Sequence, residues 1–177
     1  SYRVHAGALA PDHWYADLEE SGGRELGEAC HFFDFFCHLI GGDPVRVFAQ
    51  PVWPGGGKTA FPDSFAAQVE FSGGSTAQLI YSAEGDHAQP KESFTVFASG
   101  FVATCEDFRK LTLHQARKRS VSRYSSKGHR EEMAEWLRFL KGDAPHPLPY
   151  NESRRSTSLT FDALESIRSG GSVAASD

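Results

Sequence analysis

Between Val45 and Tyr124 the chain turns back on itself repeatedly. Phe65–Phe71 and Thr76–Ser82 flank Ser72-Gly73-Gly74-Ser75, and Lys91–Ala98 and Phe101–Glu106 flank Ser99-Gly100. Arg109–His114 and Ser120–Tyr124 form a third such pair. Short Gly-rich joints between short apolar runs signal hairpins, and hairpins build antiparallel sheet. With residues 2–6 and Val45–Val52 added, six or seven strands are expected in one mainly antiparallel sheet. Phe65, Ala67, Val69 and Phe71 point one way, and Ala66, Gln68 and Glu70 the other. One sheet face is therefore apolar and the other mixed. A mixed face of that kind suits a partner subunit, so a homo-oligomer formed through the sheet face is expected.

Helices bracket the strands. Residues 25–40 carry Phe32, Phe36, Leu39 and Ile40 at helical spacing, and Gly41-Gly42-Asp43-Pro44 stops the run. His129–Leu140 has Glu131 and Glu132 in its first turn and Lys141-Gly142 at its end, which suits the helix dipole and the C-cap. Met133, Trp136, Leu137 and Leu140 are its expected buried stripe. Residues 152–168 form the last helix, with Leu159, Ala163, Leu164 and Ile167 as its core face; Gly170-Gly171 ends it and the tail is expected to fray. Residues 7–23 read as loop, with one helical turn at Trp14-Tyr15. The expected architecture is an α+β domain, a large open sheet with helices on one face, spanning 1–177 as a single unit.

Composition removes several function classes. No run approaches the roughly 18 apolar residues of a membrane span, and SYRVHAGALA lacks the layout of a signal peptide. A first residue other than Met, with a strand pattern starting at once, suggests a piece of a longer protein. Net charge is -5. The one basic cluster, Arg117, Lys118, Arg119 and Arg123 with Lys127 and Arg130 beyond, reads as a solvated edge, so neither nucleic acid nor membrane is expected as a partner. Cys30 and Cys37 stand seven apart on one helix, roughly 10 Å along its axis. That exceeds disulfide reach, and three thiols with no secretory signal suit the cytoplasm. Gly55-Gly56-Gly57-Lys58-Thr59 is not a phosphate loop, because Val52 stands where the motif needs its first glycine. No strand–GxGxxG–helix unit occurs, so no cofactor-binding residues are expected on this chain. Glu28 and His31 could meet one metal ion, but no third ligand has suitable spacing, so no metal is expected.

The segment Gly22–His38 is the richest in polar groups on an apolar background. Glu28, His31 and His38 fall near one helical stripe, while Phe32 and Phe36 turn toward the core. Gly22 and Gly23 let the backbone approach a ligand, and Arg24 offers a fork for phosphate or carboxylate. The bland alternative is a satisfied core histidine at 31, with Asp34 paired to His38.

Gly22-Gly23-Arg24-x-x-Gly27-Glu28-x-Cys30-His31-Phe32-x-Asp34 resembles the first helix of the C-terminal domain in the Gfo/Idh/MocA family of NAD(P)-dependent oxidoreductases. Tyr2-Arg3-Val4, Pro11-Asp12-His13-Trp14, Lys127-Gly128-His129 with Glu132-Met133, and Pro147-Leu148-Pro149-Tyr150 are similar to other parts of that domain. The likeness is nearest to the nucleotide-sugar and bi-domain branch.

The resemblance implies a two-domain enzyme. A Rossmann domain, absent from this chain, would hold NAD or NADP and supply a catalytic Lys. This chain would be the substrate-binding and oligomerisation domain, with the fold of a glyceraldehyde-3-phosphate dehydrogenase-like C-terminal domain. Family members take a His from this helix, often with an Asp four residues before it. His31 matches the His; Gly27 stands at the Asp position and Glu28 follows it. The implied reaction oxidises a hydroxyl of a sugar, nucleotide sugar or cyclitol. A His with an ordinary pKa near 6.5 takes the hydroxyl proton, and Glu28 orients it. Arg24, His13, Trp14 and Gly23 are the expected substrate contacts. Alone, the chain should be silent and bind no cofactor. The rival reading is a non-enzymatic dimerising or ligand-sensing module on the same scaffold; a metal-dependent hydrolase is a distant third.

Overall fold

The computed structural model describes residues 1–10, 12–52 and 63–176; Pro11, the Pro54–Gly57 loop with Lys58 and Thr59, and Phe61-Pro62 lie outside them. Among the described residues the strands are β1 (Tyr2–His5), β2 (Pro44–Pro51), β3 (Phe65–Phe71), β4 (Thr76–Ser82), β5 (Glu92–Ala98), β6 (Phe101–Glu106), β7 (Lys110–Gln115), β8 (Lys118–Arg123) and β9 (Val173–Ala174). The helices are α1 (Leu18–Ser21), α2 (Arg24–Ile40), α3 (His129–Leu140) and α4 (Tyr150–Ser169), with a 3-10 turn over Trp14–Ala16. All nine strands join one open sheet in the order β8-β7-β6-β5-β1-β4-β3-β2-β9. Every neighbouring pair is antiparallel except β1 with β4. The three hairpins read from the sequence are β3–β4, β5–β6 and β7–β8.

Strand alternation sets the core. Phe65, Ala67, Val69 and Phe71 are buried, and across the ladders they meet Ala77, Leu79 and Tyr81 of β4 and Val47 and Ala49 of β2. Tyr2 and Val4 extend that face through β1, where Tyr2 pairs with Leu79. Helix α2 covers it with Ala29, Phe32, Phe33, Phe36 and Cys37, the i, i+3, i+4, i+7, i+8 spacing of one buried stripe. The Tyr2 ring lies 5.2 Å from Phe32 and 5.3 Å from Phe35, so one strand residue seats the middle of the helix. Gly41 ends α2 in the left-handed region at φ 71°, its N–H donating to the Cys37 carbonyl. Leu39, expected in the core, is 47% exposed, because it lies on the opposite side of the helix from Cys37.

Two further expectations need correction. The tail does not fray: Val173 and Ala174 pair with Val47 and Arg46 of β2. Ser166, fully buried on α4, accepts the Ala49 N–H at 2.8 Å and donates to the Gly171 carbonyl, tying α4, β2 and the tail together. Asp162 anchors the last described residue, accepting from the Ser176 N–H and hydroxyl. Helix α3 forms over the expected residues but buries none of them. Met133 is 54% exposed, Leu137 57% and Leu140 72%. Its stripe is real, yet α2 and α4 already occupy the apolar sheet face. Leu159, Ala163 and Leu164 of α4 are buried as their spacing predicts.

All three cysteines are free thiols. The basic cluster lies along the sheet edge at β8, whose residues are all exposed. No described helix is long and apolar enough to cross a membrane.

Candidate functional site

The chain enters α2 through two glycines at positive φ, Gly22 at 73° and Gly23 at 91°. These are backbone positions that only glycine takes without strain. The Gly23 N–H is not free for a ligand, because it donates to the Ser21 hydroxyl at 2.9 Å. Arg24 then turns inward. It is 4% exposed, its Nη1 donates to the Gly7 carbonyl at 2.6 Å, and its guanidinium sits 5.6 Å over the Tyr81 ring. Its Nε lies 3.9 Å from the Glu28 carboxylate. The fork expected to grip substrate is spent inside the protein, where it holds the β1 exit loop and faces Glu28. The buried Tyr81 hydroxyl also lies near Glu28; burial and the Glu28 charge push its pKa up.

From Glu28 onward the polar stripe opens to solvent. Glu28, His31, Asp34 and His38 line a cavity of about 380 Å³. Lys91 and Glu92 stand opposite, and Tyr2, Phe32, Phe35 and Phe108 form its aromatic floor. His31 is exposed, so it is not a core histidine. Asp34 is pushed above the usual carboxylate range by burial and by Glu152, with His38, His31 and Arg155 opposing. Its charged neighbours are Glu152 and Arg155 of α4 and the two histidines of its own helix.

The floor is built with care for position. Asp107 and Phe108 occupy the β6–β7 turn at φ 51° and 54°. A bulky residue in that region is uncommon and is held there by its surroundings. The Phe108 ring packs 5.6 Å from Phe94 and 6.4 Å from Phe35. Glu92 is fixed from below by the Tyr2 hydroxyl, which donates to it at 2.7 Å; burial and this bond push the Tyr2 pKa up.

The structure brings His31 and Glu28 together and leaves Arg24, Gly23, His13 and Trp14 off this cavity lining. His13 instead shapes the 3-10 turn: its Nδ1 accepts the Tyr15 N–H at 3.1 Å. Trp14 is 59% exposed and leans on Tyr15, ring centres 5.1 Å apart. Sequence reasoning missed Tyr2, Lys91, Glu92 and Phe108, which come from β1, the β4–β5 connection, β5 and a turn. Nothing local in the sequence marks them. Tyr15 lies off this lining; its hydroxyl fills the space that a Cβ on Gly27 would enter.

Beside the site, Glu25 is 3% exposed, and burial pushes its pKa up to about 7; Asp63 adds to the rise and Arg24 opposes it. A carboxyl raised in the folded state contributes stability below its unfolded pKa, near 4.5, and loses it as pH climbs through 7. Replacing Glu25 with Gln is expected to remove that fall. Urea midpoints at pH 4 and pH 8 test this: the variant should gain on wild type at pH 8 relative to pH 4. Parallel behaviour at both would refute it.

A large open, mostly antiparallel sheet backed by long helices is the fold of oxidoreductase C-terminal domains. The chain belongs to the Gfo/Idh/MocA family: residues 1–104 match its GFO/IDH/MocA C-terminal domain. Levoglucosan dehydrogenase in complex with NADH superposes with a TM-score of 0.79 at 15% identity, covering 99% of this chain and 57% of that one. UDP-N-acetylglucosamine 3-dehydrogenase from Acidithiobacillus ferrooxidans gives 0.76 at 16% identity, covering 95% and 52%. A Thermotoga maritima protein classed as an oxidoreductase gives 0.79 at 15% identity, covering 98% and 53%. At such identities the likeness is one of fold, and the chain spans about half the length of these structures. No curated protein matches it by sequence.

Proposed function

We propose that this chain is the substrate-binding half of an NAD(P)-dependent dehydrogenase acting on a hydroxyl of a sugar, nucleotide sugar or cyclitol. The observation that carries the reading is the placement of exposed His31 and of Glu28 on one wall of an aromatic-floored cavity of about 380 Å³. Aromatic rings offer flat apolar faces to the C–H side of a sugar ring. Glu28, Glu92, Lys91 and His31 offer donors and acceptors to its hydroxyls.

His31 takes the hydroxyl proton at an imidazole nitrogen, a role that imidazole fills in general acid–base catalysis. Glu28, one turn earlier on the same cavity wall, orients the ring. Arg24 acts through Glu28 rather than on substrate, and Gly23 shapes the entry to the helix. Exposed Trp14, with His13 behind it, stands as an outer contact for a larger substituent. NAD(P), held by a Rossmann half outside this chain, supplies the acceptor for the hydride.

A homo-oligomer through the sheet face opposite the helices is part of the same reading. Its support is the exposure there of Phe97 and Ile80, 76% and 51%, among threonines and charges of β5, β6 and β7. The expected setting is the cytoplasm.

The test is a panel of sugars, sugar nucleotides and cyclitols, offered with NAD or NADP to the full-length protein and followed by nicotinamide absorbance. Turnover is expected with a member of the panel, and none from these 177 residues alone. No turnover, with no strand–GxGxxG–helix unit encoded upstream, would favour the non-enzymatic ligand-sensing module instead.

A further inference from the structure

We infer that the Lys91 side of the site is a subsite for a phosphoryl group, so that the substrate is a sugar carrying a phosphate or diphosphate. The inference rests on the reading of the His31 cavity as the sugar site and narrows its substrate.

Lys91 lines two neighbouring cavities. One holds Glu28 and His31; the other, of about 460 Å³, lies between the β4–β5 connection and the β6–β7 turn. Four cations line the second, Lys91, Arg109, Lys110 and Lys127, against two carboxylates, Glu106 and Asp107. Both carboxylates are taken: Glu106 by Lys110 at 2.7 Å, and Asp107 by Lys127. Lys91 and Arg109 have no ion pair among the described residues. Arg109 gives one Nη1 bond to the Ser125 carbonyl, and a guanidinium carries five N–H donors, so most of its fork is left for a ligand. The chain as a whole has a net charge of -5, which disfavours anions at long range. Two uncompensated cations beside the site reverse that sign where a charged substrate would sit. The anion fork expected at Arg24 is thus found on the other side of the cavity.

The β6–β7 turn sets the two cavities side by side. Both of its central residues have positive φ, Asp107 and Phe108, a conformation that favours Asn-Gly. Phe108 goes to the floor of the His31 cavity, and Asp107 holds Lys127 in the second. The Asp107 N–H donates to the Glu92 carbonyl and the His5 N–H to the Lys91 carbonyl, both at 2.7 Å. The Lys91-Glu92 pair is therefore pinned between β1 and the turn. The Glu92 carboxylate accepts from Tyr2, which leaves Lys91 available at the boundary. A sugar with its hydroxyl at His31 places a phosphate substituent at that boundary. Arg109 supplies a planar fork and Lys91 a compact point charge, the two kinds of donor that phosphate oxygens take.

The experiment uses the full-length protein, the variants Lys91→Gln and Arg109→Gln, and Arg119→Gln on the exposed β8 edge as a control. Steady-state kinetics compare one sugar in its neutral, phosphate-ester and nucleoside-diphosphate forms with the matching uronic acid. Calorimetry titrates inorganic pyrophosphate in excess nicotinamide cofactor, so that the cofactor's own phosphate site is closed to it. A phosphorylated form should give the highest kcat/KM; whichever of the two leads tells a terminal phosphate from a bridging diphosphate, and either supports the subsite. The preference over the neutral sugar should fall about tenfold in Lys91→Gln and in Arg109→Gln, the scale of one hydrogen bond to a charged group. Because a ratio is read, a variant that folds less well does not mimic the effect. Pyrophosphate affinity should fall by a similar factor in both variants and stay within about twofold in Arg119→Gln. Preference for the neutral sugar or for the uronic acid overturns the inference, as do variants that keep wild-type preference and pyrophosphate affinity. If no form of any sugar is turned over, the reading beneath it fails, and the pyrophosphate titration alone decides the subsite.

Discussion

Replacing His31 with alanine in the full-length protein should lower kcat/KM by about 10²–10⁴, the range associated with losing a positioned general acid or base. The fold should not notice. His31 is exposed on the outer face of α2, and alanine is the better helix former, so the urea midpoint of the chain should stay within the roughly 0.5 kcal/mol of an ordinary surface change. That separation of chemistry from stability is what makes the variant decisive. Unchanged kcat/KM would remove His31 from the mechanism, and with it the case for Glu28.

The largest loss of stability should come two residues along the same helix. Phe33 is fully buried against the sheet, with Phe36 6.4 Å away. Phe33→Ala should cost about 3–5 kcal/mol, through lost transfer energy and a cavity that the rigid sheet cannot fill. In a chain of this size each kcal/mol moves the thermal midpoint by roughly 2–4 °C. Leu140→Ala on α3 is the natural comparison. The periodicity of α3 makes Leu140 a core residue, whereas its 72% exposure predicts a change near zero in this chain. Equal losses at the two positions would mean that α3 is packed in solution against something within the same 177 residues.

That comparison also marks where sequence is a good guide. Phe65 to Phe71 alternate because β3 has one face on the core, and a period of two cannot mean much else. The buried stripe of α2 is legible for the same reason. Met133, Leu137 and Leu140 obey an equally good rule, but periodicity reports an apolar face and carries no information about what covers it. Val173 and Ala174 are too few to make a pattern, and their pairing depends on β2, more than a hundred residues earlier. The site divides along the same line. Glu28 and His31 lie on one helix, so spacing found them together. Glu92, Lys91, Tyr2 and Phe108 reach the cavity only through strand pairing. Arg24 misled because a guanidinium beside a glycine loop looks ready for an anion, while the Gly7 carbonyl that claims it is seventeen residues away. The approach of Tyr15 to Gly27 could have been suspected: a glycine inside an otherwise sound helix asks what comes close to it.

The placement of β1 carries a consequence for how the molecule comes together. Tyr2 pairs with Leu79 on one side and Phe94 on the other, so four residues join two otherwise separate systems of hairpins. β1, which precedes the other described strands in the chain, is thus a keystone that waits for residues almost a hundred positions later. Such long-range pairing slows folding and exposes unpaired edges meanwhile. Tyr2 is also part of the cavity floor and holds Glu92. A pull on the polypeptide just ahead of Tyr2 is therefore felt in the middle of the sheet and at the wall of the site, rather than at a free edge.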